Sequence, residues 1–243
     1  MMDQNTSLLV VSAHAADFVW RGGGTIAKYV KHGARVKVVI LSYGARGESN
    51  ELWNVEGQTM DNVKRIRHEE IVAAAKCLGV TDYEIWDFED YHMAITPERM
   101  TRLVRTIRET KPQYILTHGP KDAFNPDHET VSRYVFEASV LSTSNGVRDE
   151  SYPTAKQARI YGFEPHQSEI SGFVPDLIID ITETYEQKQA AMNCFQTQKH
   201  LIEYYAAKAL MRGNHARRCS GVSRYKYAEA FSRFFPYVGE SFV

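Results

Sequence analysis

The chain is poor in cysteine, with three residues in 243, at Cys77, Cys194 and Cys219. They lie far apart, are odd in number and fit no paired ligand spacing. That excludes a disulfide scaffold and a cysteine-based zinc clip, and it points to a reducing compartment. A surplus of charge is also missing: 29 Lys and Arg stand against 30 Asp and Glu, for a formal net charge of −1. General nucleic-acid binders carry a basic excess, so no nucleic-acid partner is expected. Long apolar runs are lacking too. The run Leu8 to Val11 is far too short for a signal peptide or a membrane span, and no basic stretch precedes it. No membrane partner and a cytoplasmic location are therefore expected. There is no repeat, low-complexity tract or Pro/Gly/Ser-rich linker, so residues 1–243 read as a single domain, long enough for one sizeable core.

What the chain does have is alternation. SLLVVSA (7–13) is a short apolar run with no helical period, as in a buried strand, and TIAKYVKHG (25–33) is a helix stopped by glycine. ARVKVVILSYG (34–44), DYEIWDF (82–88), QYILTHGP (113–120), RIYGFEP (159–165) and DLIIDIT (176–182) continue as strands. Helices are expected over 62–80, 97–112 and 127–141, and along one region from about 183 to 212. Strands alternating with helices predict an α/β fold with a mainly parallel sheet and flanking helices. Ligands of such sheets bind beyond the carboxyl ends of the strands. His14 and Asp17 follow the first strand, Arg46 and Glu48 the second, and His118 to His128 the fourth, so polar residues converge on one rim.

Catalytic zinc usually takes three protein ligands and leaves one position open. The H-x-x-D pair of His14 and Asp17 suits a strand-to-helix turn, with His128 as third ligand and His118 as a weaker candidate. A lone H-x-x-D is more often only a polar loop. Gly22, Gly24 and Ala27 fit the dinucleotide pattern G-x-G-x-x-A, but they come roughly eight residues after the strand, and no acid ends strand two. Close packing of a helix on the sheet is the better account of these glycines.

The same residues resemble the PIG-L/LmbE-like zinc deacetylases. SAHAADF stands where that family has A-H-P-D-D-E, and NPDH where it has H-P-D-H. Arg67 and Glu70, followed by IVAAAKCLGV, match its R-x-x-E…A-A-x-x-L-G helix, and ITETYEQKQAAMNCFQTQ is similar to its C-terminal segment. The resemblance implies a Rossmann-like fold and a zinc ion held by His14, Asp17 and His128, although imidazole–carboxylate sites accept other divalent ions. It also shows two departures. Ala16 replaces the aspartate that acts as general base in the deacetylases, and Asn125 replaces a histidine that assists. Alanine accepts no proton, and a general base typically contributes roughly 10²–10⁴-fold.

A narrower resemblance is to the bacterial 4-oxalomesaconate hydratases of the same superfamily. It rests on SAHAADFVWRGGG, LSYGARGES, GFEPHQSE and QKHLIEYYAAKALMRG, and it includes the alanine. It implies addition of water to 4-oxalomesaconate, a small tricarboxylate oxo-acid, to give 4-carboxy-4-hydroxy-2-oxoadipate in gallate and protocatechuate 4,5-cleavage. Glu48 would be the water-activating base and His166 the proton donor, with the reverse assignment also open. Arg46, Arg67 and Asn125 are candidate contacts for the substrate, with Lys121 and His118 behind them. Arg67 has a second reading, in which it holds Glu70 or a backbone carbonyl. Deacetylation of an N-acetyl sugar is the alternative function, with Glu48 or a substrate group replacing the lost base. The superfamily implies a homo-oligomer, to which LIEYYAAKALMR would contribute as helix core or subunit contact.

Overall fold

The structure is a computed structural model and describes residues 5–240. Seven strands form one sheet, β1 (Ser7–Ser12), β2 (Arg35–Ile40), β3 (Asp82–Ile85), β4 (Tyr114–His118), β5 (Arg159–Phe163), β6 (Leu177–Asp180) and β7 (Ala228–Arg233), in the order β3-β2-β1-β4-β5-β7-β6. The first five pair in parallel, and β7 runs antiparallel to both β5 and β6. The helices are α1 (Asp17–Lys31), α2 (Asn50–Trp53), α3 (Met60–Leu78), α4 (Pro97–Thr110), α5 (Pro126–Thr143), α6 (Tyr185–Met192) and α7 (Ile202–Ser220). This is the mainly parallel α/β sheet expected. Among the described residues, no helix is long and apolar enough to cross a membrane.

Side chains alternate across a strand, so β1 feeds two cores. Leu8 and Val10 join α1 and α3 residues on one face, while Leu9 and Val11 join α4 and α5 residues on the other. Every residue of β1 is buried, which accounts for its unbroken apolar run.

Three differences from the sequence expectation bear on the site. Helix α1 begins at Asp17 and carries the glycine cluster inside it. A Cβ on Gly22 would meet Phe163 at 2.9 Å, and one on Gly24 would meet Ile181 at 2.5 Å. The glycines thus let α1 lie close against the sheet, as the packing account requires. Second, AEAFSR forms the unexpected strand β7, whose Glu229 accepts from the α1 amides of Gly24 (2.9 Å) and Thr25 (2.8 Å). Lys188 pairs with Glu229 at 2.6 Å and donates to the Trp20 carbonyl at 2.8 Å, so a buried ion pair completes the α1 ladder. Third, the helical region after 183 is broken by a 3₁₀ segment, Gln196–Leu201, and α7 continues beyond Arg212 to Ser220.

Candidate metal centre

The carboxyl ends of β1, β2 and β4 bring together His14, Asp17, Glu48 and His128, with one possible ligand atom from each lying within 4.8 Å of the others. The turn after β1 is set by its own side chains. Asp17 accepts from the His14 amide at 2.8 Å, and Ser12 donates to the His14 carbonyl at 2.7 Å, which draws His14 and Asp17 to one side. His128 comes from the first turn of α5. Asn125 caps that helix by accepting from the Asp127 amide at 3.1 Å, and Pro126 at the first position fits its fixed φ.

His14 Nδ1 lies 3.2 Å from His128 Nε2, 3.2 Å from Glu48 Oε1 and 3.4 Å from Asp17 Oδ2. The far nitrogens are also engaged: His14 Nε2 is 3.2 Å from Asp127, and His128 Nδ1 is 2.8 Å from Asp122. An N–H donated to each of those carboxylates leaves two imidazole lone pairs facing each other beside two more carboxylates. Such a donor set fits a divalent cation, with Asp127 and Asp122 orienting the two rings.

The electrostatics agree. Burial on its own lowers the His14 pKa, but Glu48, Asp127 and Asp17 hold it well above the ordinary value, so the cluster draws positive charge. Burial works against ionised Asp122 and Asp127, yet both are held near a pKa of about 2. Asp122 owes this to His128 and Arg21, and Asp127 to His14 and the amides of Met93 and Tyr91. His118 is pushed down to about 3 by burial and then by His128, on which it stacks at 4.0 Å. Its Nε2 accepts from the Ala13 amide at 3.0 Å, so His118 buttresses the cluster.

The remaining expected residues divide. His166 follows β5, half-buried, with its ring stacked on Tyr204 at 4.3 Å. Its carbonyl accepts from the Tyr204 hydroxyl and from Lys208, the latter at 3.1 Å. Burial, then Arg21 and Lys208, push its pKa down to about 4, so the ring is neutral near pH 7. Arg46 is exposed, its guanidinium making one long contact, 3.5 Å to the Asp90 carbonyl. Lys121 is exposed on the loop before α5.

Arg67 corrects an expectation. It is 0% exposed, and its nitrogens donate to the Tyr43 carbonyl (3.1 Å), Glu70 (2.8 Å), Thr197 and Gln198 (3.0 Å). Four of its five N–H groups are engaged in this way, and full burial keeps the fifth away from a substrate carboxylate at the rim. Arg67 instead ties α3 to the 3₁₀ segment and stands 3.9 Å behind Glu48.

Neither Arg21 nor Asp122 is assigned a role from the sequence. Arg21 is buried one turn along α1 from Asp17, 3.4 Å from its carboxylate, and it donates to Asp122 and to the Glu164 carbonyl at 3.2 Å each. An i, i+4 pairing would have shown it, had α1 been read as starting at Asp17.

Known proteins share this sequence family and this fold. The chain matches the PIG-L family model, described as GlcNAc-PI de-N-acetylase, over residues 9–139. It is 40% identical over 238 residues to 4-oxalmesaconate hydratase of Pseudomonas putida, covering 97% of this chain and 92% of the relative. The crystal structure of GalB, the 4-carboxy-2-hydroxymuconate hydratase from Pseudomonas putida, superposes with a TM-score of 0.93 at 39% identity, covering 98% of this chain and all of that one. A 1D-myo-inositol 2-acetamido-2-deoxy-α-D-glucopyranoside deacetylase of Streptomyces scabiei is 30% identical over 63% of this chain, which spans about half of that relative's length (54%). From the match over residues 9–139 and the 40% identity over nearly the whole chain, this chain belongs to the PIG-L family.

Proposed function

We propose that this protein is a metal-dependent hydro-lyase that adds water to 4-oxalomesaconate, giving 4-carboxy-4-hydroxy-2-oxoadipate in the breakdown of gallate and protocatechuate. One observation carries the reading. A full set of ligand groups stands beside a buried alanine, Ala16, at the place of the deacetylase base, in a chain related to a hydratase over 97% of its length. Amide hydrolysis by the deacetylase route has no proton acceptor at that position.

His14, Asp17 and His128 would hold the ion, for which zinc is our choice. Bound there, it supplies a Lewis acid for the ketone oxygen of the substrate. Glu48, whose carboxylate lies 3.2 Å from His14, takes a proton from water as the hydroxyl adds to one carbon of the double bond. His166 gives a proton to the other carbon. Its ring, neutral in the free protein, gains its charge as the substrate carboxylates come to face it. Return of the proton from Glu48 to His166 through solvent closes the cycle, with one water consumed. Arg46 and the amide of Asn125 meet the substrate carboxylates at the rim.

The test is hydration of 4-oxalomesaconate by the zinc-loaded protein, followed by loss of its ultraviolet absorbance. Glu48→Ala and His166→Ala should each lose roughly 10²–10⁴-fold in kcat while keeping the metal. Wild-type turnover in both variants would overturn the assigned roles. Amine release from an N-acetyl sugar at an enzymatic rate would replace the reading with a deacetylase.

A further inference from the structure

The segment after β3 contains left-handed backbone without glycine: Tyr91 has φ 60° and His92 φ 65°. Residues with side chains seldom adopt such angles, and where they persist the surroundings must hold them there. Here two carboxylates do so. Asp127, the partner of His14, accepts from the Tyr91 amide at 2.7 Å and from the Met93 amide at 3.0 Å. Asp90 accepts from the amides of Arg46 and Gly47, each at 2.8 Å, and so grips the turn that carries Glu48. Residues 90–93 are thus fixed at one end to the His14 side of the cluster and at the other to the Glu48 side.

This brace holds an aromatic ring at the rim. A Cβ on Gly47 would lie 1.6 Å from Tyr91 Cε2, so the ring edge rests directly on the backbone beside Glu48. Even so, Tyr91 remains 57% exposed, and no protein group bonds its hydroxyl among the described residues. With more than half of its surface open, the ring gains little from burial. It is held in strained backbone with its face and hydroxyl partly open, next to the nearly free guanidinium of Arg46.

We propose that Tyr91 is a specificity-determining residue: its phenol, together with Arg46, closes on the substrate beside Glu48 and donates to one of its carboxylates. The inference rests on the hydratase reading and extends it to the recognition of a tricarboxylate.

Two variants test it in the zinc-loaded protein. Tyr91→Gly removes the ring and accepts the positive φ without strain, so its Tm should equal or exceed that of wild type. Its KM for 4-oxalomesaconate should rise about 10-fold or more, the loss of a hydrogen bond to a charged group, with kcat changed less than about 3-fold. Gly47→Ala pushes the ring away while keeping Tyr91, and it should reproduce the rise in KM. Calorimetric titration with tricarballylate and with glutarate, neither of which can be hydrated, reads recognition apart from turnover. Wild type should prefer the tricarboxylate, and Tyr91→Gly should lose most of that preference. Unchanged KM and unchanged tricarballylate affinity in Tyr91→Gly overturn the inference. A fall in kcat and Tm with KM intact also overturns it, because the ring would then only support the turn. If wild type hydrates nothing, the hydratase reading fails on its own, and the tricarballylate titration still decides Tyr91; no binding of that probe by wild type counts against it.

Discussion

The inner part of the site and its rim are built differently. His14 and His128 are each 2% exposed and have a carboxylate at both ring nitrogens, so each ring is fixed at two points. His166, Arg46 and Tyr91 stand on loops, partly exposed, held mainly through backbone contacts. An ion needs its ligands in place before it arrives, and burial with paired carboxylates provides that. Groups that meet a substrate need open faces. In this protein the backbones of His166, Arg46 and Tyr91 are pinned, the Arg46 guanidinium and the Tyr91 hydroxyl are left open, and the His166 ring is stacked on Tyr204.

That contrast can be broken most severely from the inside. His128→Ala should abolish stoichiometric zinc and with it all turnover, as read by elemental analysis of dialysed protein; a metal-replete, active variant would remove His128 from the ligand set. Next in size, Asp127→Ala and Asp122→Ala should each weaken zinc roughly 10–100-fold in a chelator competition, and Asp127→Asn less, because its amide oxygen still accepts.

The carboxylates of the inner site and His166 at the rim should also act in different pH windows in the metal-free protein. Asp122 and Asp127, near 2 when folded against about 3.9 unfolded, bind more protons in the unfolded chain. Their stabilisation is complete above about pH 4 and is lost between 4 and 2. His166, near 4 when folded against about 6.5 unfolded, has the same sign in a higher window: stability falls as pH drops from about 6.5 to 4. His118, pushed down to about 3, adds a loss of the same sign across this window, so His166→Asn should make the fall in Tm between pH 6.5 and 4 shallower and leave the loss below pH 4 intact; an unaltered profile would contradict the depressed pKa of His166. The smallest effect is expected at Tyr204. Tyr204→Phe keeps the stack on His166 but loses the bond to its carbonyl, and should lower kcat only a few-fold, with Tyr204→Leu lower still.

The inner site was the more legible part in the sequence. His14 and Asp17 directly follow a strongly apolar strand, and NPDH places His128 at a helix start, so type and position could be read together. Arg67 was less legible, because an arginine one turn from a glutamate looks the same whether it faces solvent or, as here, lies fully buried. Three glycines in a row argue against a helix by about 1 kcal/mol each, yet α1 runs through them because only glycine fits against Phe163 and Ile181. That override hid the first turn of α1 and Arg21 with it. AEAFSR carries weak strand preference and a buried glutamate, so β7 shows itself only once Lys188 and the α1 amides are in place around Glu229.

Glu229 and Lys188 have one more consequence, for the order of events in the cell. The helix that presents Asp17 and Arg21 is closed midway by groups encoded more than 160 residues later. A nascent chain exposing only its first half therefore holds that helix with an open ladder. The ladder of that helix closes only when Lys188 and the strand that carries Glu229 have docked.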